Sequence, residues 1–323
     1  MIFDCFTFFN ELDLLELRLE LLDSVVDRFI IVEANKTHSG LEKPYYFEEN
    51  RTRFSAYENK IIYVKLDTLP QAEDSWILEN LQRNHIAEAV KQYAKSGDTI
   101  LLSDIDEIPR PELVAKYAGA AGMTTFYIDY YCFYLNARNV MEYYWPGTKL
   151  LSYEAFFSIA DNVKVEYNRF MLEEYNQGTT PTKLRCAREL PTRKLRHAGW
   201  HFTSIGGAAA VLQKLKSYAH QEFNVEGVTE QSIEKLIAEG KTPFDWQRFY
   251  CVPIDKTLPK CIQENPEKYS KYIFNVTPDY IKRTRWPRFC AKLKHGSYCF
   301  LVEHLPLWLV RLVRDLHKII SKK

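Results

Sequence analysis

The stretch TILLSDIDEIPRP, from Thr99 to Pro111, is the part of this chain that decides the fold. Its first four residues form a β-branched and aliphatic run with the length and composition of a buried strand. Three acids follow, Asp104, Asp106 and Glu107, and two prolines then end the run. Because buried carboxylates are costly without a cation nearby, the pattern predicts a cation-binding turn at the end of a strand.

The spacing of the first two acids indicates the chemistry of this turn. In open α/β sheets, ligands bind beyond the carboxyl ends of the strands. Two carboxylates at i and i+2 can hold a hard divalent ion, which in turn binds phosphate oxygens. We therefore predict that Asp104 and Asp106 bind Mn²⁺ or Mg²⁺ next to a diphosphate. The alternative is a solvated acidic loop in which Glu107 pairs with Arg110.

Short apolar runs alternate with helical patterns along the first third of the chain. We predict strands at 2–6, 29–32, 60–66 and 99–102, and helices at 12–22, 76–95, 206–223 and 229–240. This alternation is typical of an α/β fold with a mostly parallel central sheet flanked by helices.

Length and composition indicate a globular protein with one large domain. The chain has 323 residues, of which 46% are hydrophobic and 26% charged. Its seven cysteines show no metal-binding spacing, which favours reduced thiols over structural zinc or a disulfide framework. No signal peptide or membrane-spanning run is visible, so we predict a cytoplasmic protein with no nucleic-acid partner.

Charge is distributed unevenly along the chain. Residues 282–323 carry a net charge of +9, whereas the preceding residues carry −8. Within this segment, residues 305–323 place apolar side chains on one helical face and basic ones on the other. We therefore predict two parts: a domain at 1–281 and a basic amphipathic tail at 282–323 that lies on the inner face of an anionic membrane. The alternative is a helix that docks on the domain.

Five segments, in this order, resemble the family seventeen glycosyltransferases and cover roughly the first three-quarters of the chain. They are FDCFTFFNELDLLELRL from Phe3, VEANKTHSG from Val32, the helix with Trp76 and Gln82-Arg83-Asn84, LLSDIDEIPRP from Leu101, and AGWHFTSIGG from Ala198 continuing into KLKSYAHQE from Lys214.

The resemblance implies a GT-A-like nucleotide-sugar-binding fold in which the acidic turn is a DxD metal motif. It also implies an inverting transfer of a sugar, usually N-acetylglucosamine from UDP-GlcNAc, to a glycan acceptor. Animal members of the family carry an N-terminal membrane anchor, whereas this sequence opens on its first strand. We therefore expect a microbial or viral glycan as the acceptor.

Further site residues follow from the resemblance. GT-A-like enzymes often supply a late histidine to the metal, which makes His201 the third predicted ligand, and Trp200 is predicted to stack on a sugar face. Glu33 and Asn35, at the tip of the second strand, are predicted to contact the nucleoside. Arg83 is predicted to contact the diphosphate or the donor sugar. The alternatives are core packing for His201 and Trp200, a structural cap for Glu33 and an ion-paired helix face for Arg83.

An inverting enzyme also needs a base that deprotonates the acceptor hydroxyl. We predict Glu222 or Asp129 for this role, the alternative for each being a surface acid. Three other classes of protein stay open from the residues alone. These are a nucleotidyltransferase that makes nucleotide-sugars, a hydrolase with paired carboxylates, and a non-catalytic glycan-binding protein.

Overall fold

A computed structural model describes residues 1–67, 69–71, 75–140, 145–162, 192–243, 247–304 and 309. Eleven strands are found in these ranges and join in one sheet. They are β1 (Ile2–Phe8), β2 (Arg28–Ala34), β3 (Ile61–Leu66), β4 (Thr99–Leu102), β5 (Glu107–Pro109), β6 (Met123–Cys132), β7 (Ala137–Asn139), β8 (Trp145–Ser152), β9 (Arg193–Leu195), β10 (Gly199–Thr203) and β11 (Phe249–Cys251).

The sheet is parallel in its N-terminal half and mixed beyond it. The main path runs β11-β7-β6-β8-β4-β1-β2-β3, with β9 and β10 pairing with β6 and β5 pairing with β10. The pairs of β1 with β2, β1 with β4 and β2 with β3 are all parallel. The strand β8 runs antiparallel to both β4 and β6. The carboxyl ends of β1, β2 and β4 therefore meet at one edge of the sheet.

Helices cover both faces of the sheet, which confirms the predicted α/β class with a central sheet flanked by helices. They are α1 (Leu12–Leu22), α2 (Tyr46–Glu49), α3 (Ser75–Tyr93), α4 (Pro111–Tyr117), α5 (Tyr153–Asn162), α6 (Gly207–Ser217), α7 (Glu230–Ala238), α8 (Lys260–Glu264) and α9 (Pro278–His304). Three 3₁₀ segments lie at Arg51–Lys60, Gln221–Phe223 and Ser270–Tyr272.

Alternating side chains of the parallel strands divide the core into two layers. Phe3, Cys5 and Ile30 pack with Ile86 and Val90 of α3 on one face. On the other face, β1 and β2 pack with the apolar stripe of α1, through Phe6, Phe29, Leu15, Leu19 and Leu22. This is the two-sided covering expected for a sheet whose strands are buried on both faces.

The helix α9 crosses the predicted boundary between domain and tail. Tyr280, Thr284 and His295 are buried, and the helix contacts β11. The N-terminal part of the predicted tail is therefore attached to the body of the protein. The predicted amphipathic segment 305–323 lies outside the described residues, apart from residue 309.

Candidate active site

The acidic turn lies at the edge of the sheet where the parallel strands end. It follows β4 directly and leads into β5, which pairs antiparallel with β10. In this pairing His201 stands opposite Glu107. The sheet thus brings a histidine from the later part of the chain to the carboxylates of the turn.

Asp106 is buried and held by two basic side chains. Its Oδ2 lies 3.1 Å from Lys214 Nζ and 3.5 Å from His201 Nε2. Burial raises the pKa of Asp106, but Lys214 and His201 outweigh burial, so the pKa lies well below its ordinary value. Burial alone would lower the pKa of Lys214, but the negative charge of Asp106 outweighs burial, so the pKa of Lys214 lies above its ordinary value. Both groups are charged at neutral pH.

His201 lies against two aromatic rings. Its ring is 4.7 Å from that of Tyr130, at 18°, and 4.6 Å from that of Trp145, at 29°, and these two rings contact each other at 5.3 Å. Its Nδ1 is buried and has no hydrogen-bond partner among the described residues. The rings fix the plane of the imidazole, so that its Nε2 edge points at Asp106.

Asp104 has a different cationic partner from Asp106. Its Oδ1 accepts a hydrogen bond of 3.0 Å from Arg83, which also pairs with Glu79 of α3. Asp104 and Arg83 line a small cavity, whereas Asp106 and Lys214 line a separate one of about 480 Å³. In the part of the chain that is described, no three His, Cys, Asp or Glu side chains gather as a metal site. The predicted ligand set of Asp104, Asp106 and His201 is therefore not assembled as one group.

A buried arginine that the sequence analysis did not single out holds the backbone of the turn. Arg18 of α1 is fully buried and makes a bidentate pair with Asp4 of β1, at 2.6 and 2.7 Å. Its Nη1 donates to the carbonyl oxygens of Asp104, Ile105 and Glu107. Five planar donors let one guanidinium bind a carboxylate and several carbonyls together. Arg18 therefore fixes the path of the acidic turn.

Glu107 supports the turn through contacts other than the one predicted. Its Oε1 accepts a hydrogen bond of 2.7 Å from Trp145 Nε1, and its Oε2 accepts one of 3.2 Å from the backbone N–H of Asp104. The suggested partner Arg110 instead donates to the carbonyl of His197. Glu107 thus links the turn to the ring that stacks on His201.

Glu33 is a structural cap rather than a free nucleoside ligand. Its carboxylate accepts hydrogen bonds from Lys43 Nζ, the Tyr63 hydroxyl and two backbone N–H groups at the start of α2. Burial raises the pKa of Glu33, although Lys43 opposes the effect. Asn35, at the end of β2, has a buried Oδ1 without a hydrogen-bond partner among the described residues. Its predicted nucleoside contact stays a prediction.

Trp200 lies in the core and not in the candidate site. It is 3% exposed, its Nε1 donates to the carbonyl of Thr257, and Arg110 packs over its ring at 4.3 Å. Neighbouring residues of a strand point to opposite faces, so His201 and Trp200 cannot face the same ligand. The structure therefore places Trp200 on the face of β10 away from His201, and its predicted stacking on a sugar stays a prediction.

Neither predicted base reaches the turn. Side chains alternate between the two faces of the sheet along β6, and Tyr130 packs on His201. Asp129, one residue earlier, points to the other face, where it pairs with His197 and Arg138. Glu222 is exposed in a 3₁₀ segment and pairs with His220. The structure thus places Asp129 in a buried ion pair and Glu222 on the surface.

Comparison with known sequences gives a family match over the first part of the chain. Residues 1–130, a range that includes the acidic turn and Arg83, match the model of Glycosyltransferase family 17. The chain is also similar to the β-1,4-mannosyl-glycoprotein 4-β-N-acetylglucosaminyltransferases of Homo sapiens, at 29% identity, and Rattus norvegicus, at 28%. These matches cover 82% of this chain and 54% and 53% of the relatives, so the chain spans about half of their length.

Two solved structures are similar in outline to this chain. One is the mannosyltransferase PcManGT of Pyrobaculum calidifontis in complex with GDP-Man and Mn²⁺, with 8% identity and a TM-score of 0.37. That match covers 98% of this chain and 79% of the other. The second is a glycosyltransferase involved in glycosylation of the major capsid of PBCV-1, with 11% identity, a TM-score of 0.25 and coverage of 72% and 97%.

Proposed function

We propose that this protein is an inverting, metal-dependent glycosyltransferase that moves N-acetylglucosamine from UDP-GlcNAc to a glycan acceptor. The family match and the names of the relatives support a transferase of this class. The single observation that carries the proposal is the acidic turn at the carboxyl edge of β1, β2 and β4, with Lys214 on Asp106 and Arg83 on Asp104.

The two cations suit the charge of a departing nucleoside diphosphate. Lys214 uses two of its three N–H groups on Asp106 and Thr203, which leaves one for a phosphate oxygen. Arg83 is buried on the Asp104 side of the turn. Positive groups held rigidly where negative charge develops lower the barrier to bond cleavage without reorganisation.

The residues around Asp106 fit a divalent ion. The Asp106 carboxylate, a ligand type that suits Mn²⁺ and Mg²⁺, lines the larger cavity, and the imidazole of His201, a ligand type of transition metals, lies 3.5 Å from it. We propose that Asp106 and His201 hold the ion, with further ligands from the donor. When bound, the ion would add positive charge for the leaving diphosphate. Asp104 would contribute through its ion pair with Arg83 and not as a ligand of the ion.

Binding calorimetry tests the proposal directly. UDP-, GDP- and CDP-sugars are titrated into the protein with and without Mn²⁺, and UDP-GlcNAc is expected to bind most tightly with Mn²⁺ present. Release of UDP in the presence of an acceptor glycan then separates a transferase from a glycan-binding protein. Absence of UDP-sugar binding under both conditions would refute the proposal.

We also propose that the protein attaches to an anionic membrane surface on the cytoplasmic side, through residues 282–323. In the described ranges no helix has the length and apolar character to cross a bilayer. Trp286, Phe289, Leu293 and Phe300 of α9 are each more than half exposed. Their spacing of three, four and seven residues places them on one face, opposite the buried Tyr280.

Basic residues flank this apolar stripe. Six lysines and arginines lie between residues 282 and 294, and no acid lies among them. An exposed stripe with a tryptophan, bordered by cations, is typical of a helix that lies in a membrane interface. The part of the helix that docks on β11 would hold the body of the protein against that surface.

A further inference from the structure

A cavity of about 480 Å³ lies next to Asp106, and most of the residues that line it have no role in the proposed function so far. It lies between the N-terminal ends of α1 and α6 and the segment that carries Tyr269 and Tyr272. Its volume is within the range of small-molecule sites and suits one or two sugar units.

One wall of the cavity is the reacting edge of the proposed transferase. Asp106 and Lys214 both line it. Arg83 and Asp104 line the smaller cavity instead. A sugar in the larger cavity would therefore lie beside the groups that we propose to hold the metal ion and the donor phosphates.

The remaining walls combine aromatic rings with carboxylates. Phe9, Tyr269 and Tyr272 supply rings, which suit the apolar faces of a pyranose. Asp13 accepts hydrogen bonds from Arg53, Lys271 and the hydroxyl of Tyr272, so this wall is fixed in place. A few well-placed polar groups within apolar walls are what orient a small ligand.

Glu11 is a carboxylate of this cavity that is held through only one of its oxygens. Its Oε2 accepts hydrogen bonds from the backbone N–H groups of Phe9, at 3.2 Å, and Asn10, at 3.0 Å. Its Oε1 makes no hydrogen bond to the described residues. The side chain is thus held by one oxygen while the other can accept a proton from a ligand.

We propose that this cavity binds the acceptor sugar and that Glu11 is the general base; the inference rests on the proposed transferase function. Glu11 takes the proton of the acceptor hydroxyl, and the oxygen of that hydroxyl forms a bond to the anomeric carbon of the donor. The bond from this carbon to the diphosphate oxygen breaks, and its electron pair leaves with UDP. The proton on Glu11 then passes to solvent.

The base is tested with Glu11→Gln, which keeps the size of the side chain, and with Glu11→Asp, which keeps its charge. UDP-GlcNAc is the donor, and methyl β-mannoside is the acceptor probe, chosen because the relatives are named for mannosyl acceptors. Glu11→Gln should lower turnover by about 100-fold or more and remove the acidic limb of the pH profile. Its Kd for UDP should stay within about threefold of the unmodified protein, and Glu11→Asp should retain more activity than Glu11→Gln. Glu112→Gln, on the exposed surface of α4, is the matched control.

Hydrolysis of UDP-GlcNAc, with water as acceptor, repeats the test of the base without any assumption about the glycan. Glu11→Gln should slow hydrolysis by a similar factor. The assignment of Glu11 is overturned if Glu11→Gln keeps more than about a third of the activity in both assays, since a base supplies far more than that.

The cavity is tested by filling it. Ala209 of α6 is exposed and lines the cavity, so Ala209→Trp should block transfer to methyl β-mannoside while UDP binding and hydrolysis persist. Ala56→Trp, at another exposed alanine that does not line the cavity, is the control. Transfer by Ala209→Trp at the control rate would overturn the acceptor assignment. Failure of the unmodified protein to bind UDP would instead refute the proposed function itself.

Discussion

Replacing Arg18 tests the physical basis of the acidic turn. Arg18 and Asp4 form a fully buried ion pair, and Arg18 also donates to three carbonyl oxygens and to Ser103. In Arg18→Met the carboxylate of Asp4 stays buried without its cation. Removing one partner of a buried pair costs about 3–5 kcal/mol, so the free energy of unfolding should fall by that amount.

The double variant Asp4→Asn/Arg18→Met separates the ion pair from the rest of the site. The two single changes should sum to more than the double change, by about 1–3 kcal/mol, because the first substitution already breaks the pair. Arg18→Lys keeps a charge for Asp4 but lacks the planar fork that reaches the carbonyls. We therefore expect Arg18→Lys to keep part of the stability and still weaken UDP binding.

Urea unfolding, followed by tryptophan fluorescence, measures these free energies. Arg51→Met is the control, since Arg51 pairs with Glu58 on the surface and such pairs contribute less than about 1 kcal/mol. A loss below about 1 kcal/mol in Arg18→Met, together with an unchanged Kd for UDP, would show that Arg18 does not hold the turn.

Three further predictions concern the site and the helix α9. Asp106→Asn should abolish most transfer and lower stability at neutral pH. Folding lowers the pKa of Asp106, so its contribution to the free energy of unfolding is complete at pH values above its pKa in the unfolded chain, near 4, and decreases as the pH falls below that value. If urea unfolding gave the same loss of stability for Asp106→Asn at pH 3 and pH 7, this prediction would be contradicted. His201→Ala should weaken UDP or Mn²⁺ binding in calorimetry more than it lowers the melting temperature, and the reverse order would indicate a purely packed histidine. Trp286→Ala/Phe289→Ala should reduce flotation with phosphatidylserine vesicles at low salt, whereas Leu41→Ala, at another exposed apolar residue, should not; equal flotation of the two variants would refute the membrane face.

The sequence by itself determined the elements whose signals are local. The helix predicted at 12–22 and the strand predicted at 99–102 have the observed bounds, because apolar periodicity and the following acids mark their ends. The α/β class follows from the alternation of such elements. The acidic turn was also readable, because three carboxylates directly after an apolar strand have few structural explanations.

Some site residues could have been judged better from the sequence. Trp200 and His201 are neighbours on a strand, so only one of them can face a given ligand. Asp4 lies within an apolar strand, and Arg18 shares a helical face with Leu14, Leu15 and Leu22, which is a signal for a buried pair. Nothing in the local sequence, however, identifies Arg18 as the donor to the backbone of a turn 86 residues away.

Only the tertiary structure decided which groups meet at the turn. Lys214 reaches Asp106 across 108 residues, and His201 reaches it because β10 pairs with β5 and β6. The face of the sheet to which a side chain points also decides whether that side chain can act at the turn. Asp129 is the neighbour of Tyr130 in β6 and yet points to the other face of the sheet. Such contacts depend on strand register and helix packing, which are set by the whole core. Glu11 becomes a candidate base for the same reason, because the cavity that it lines forms only when the chain has folded.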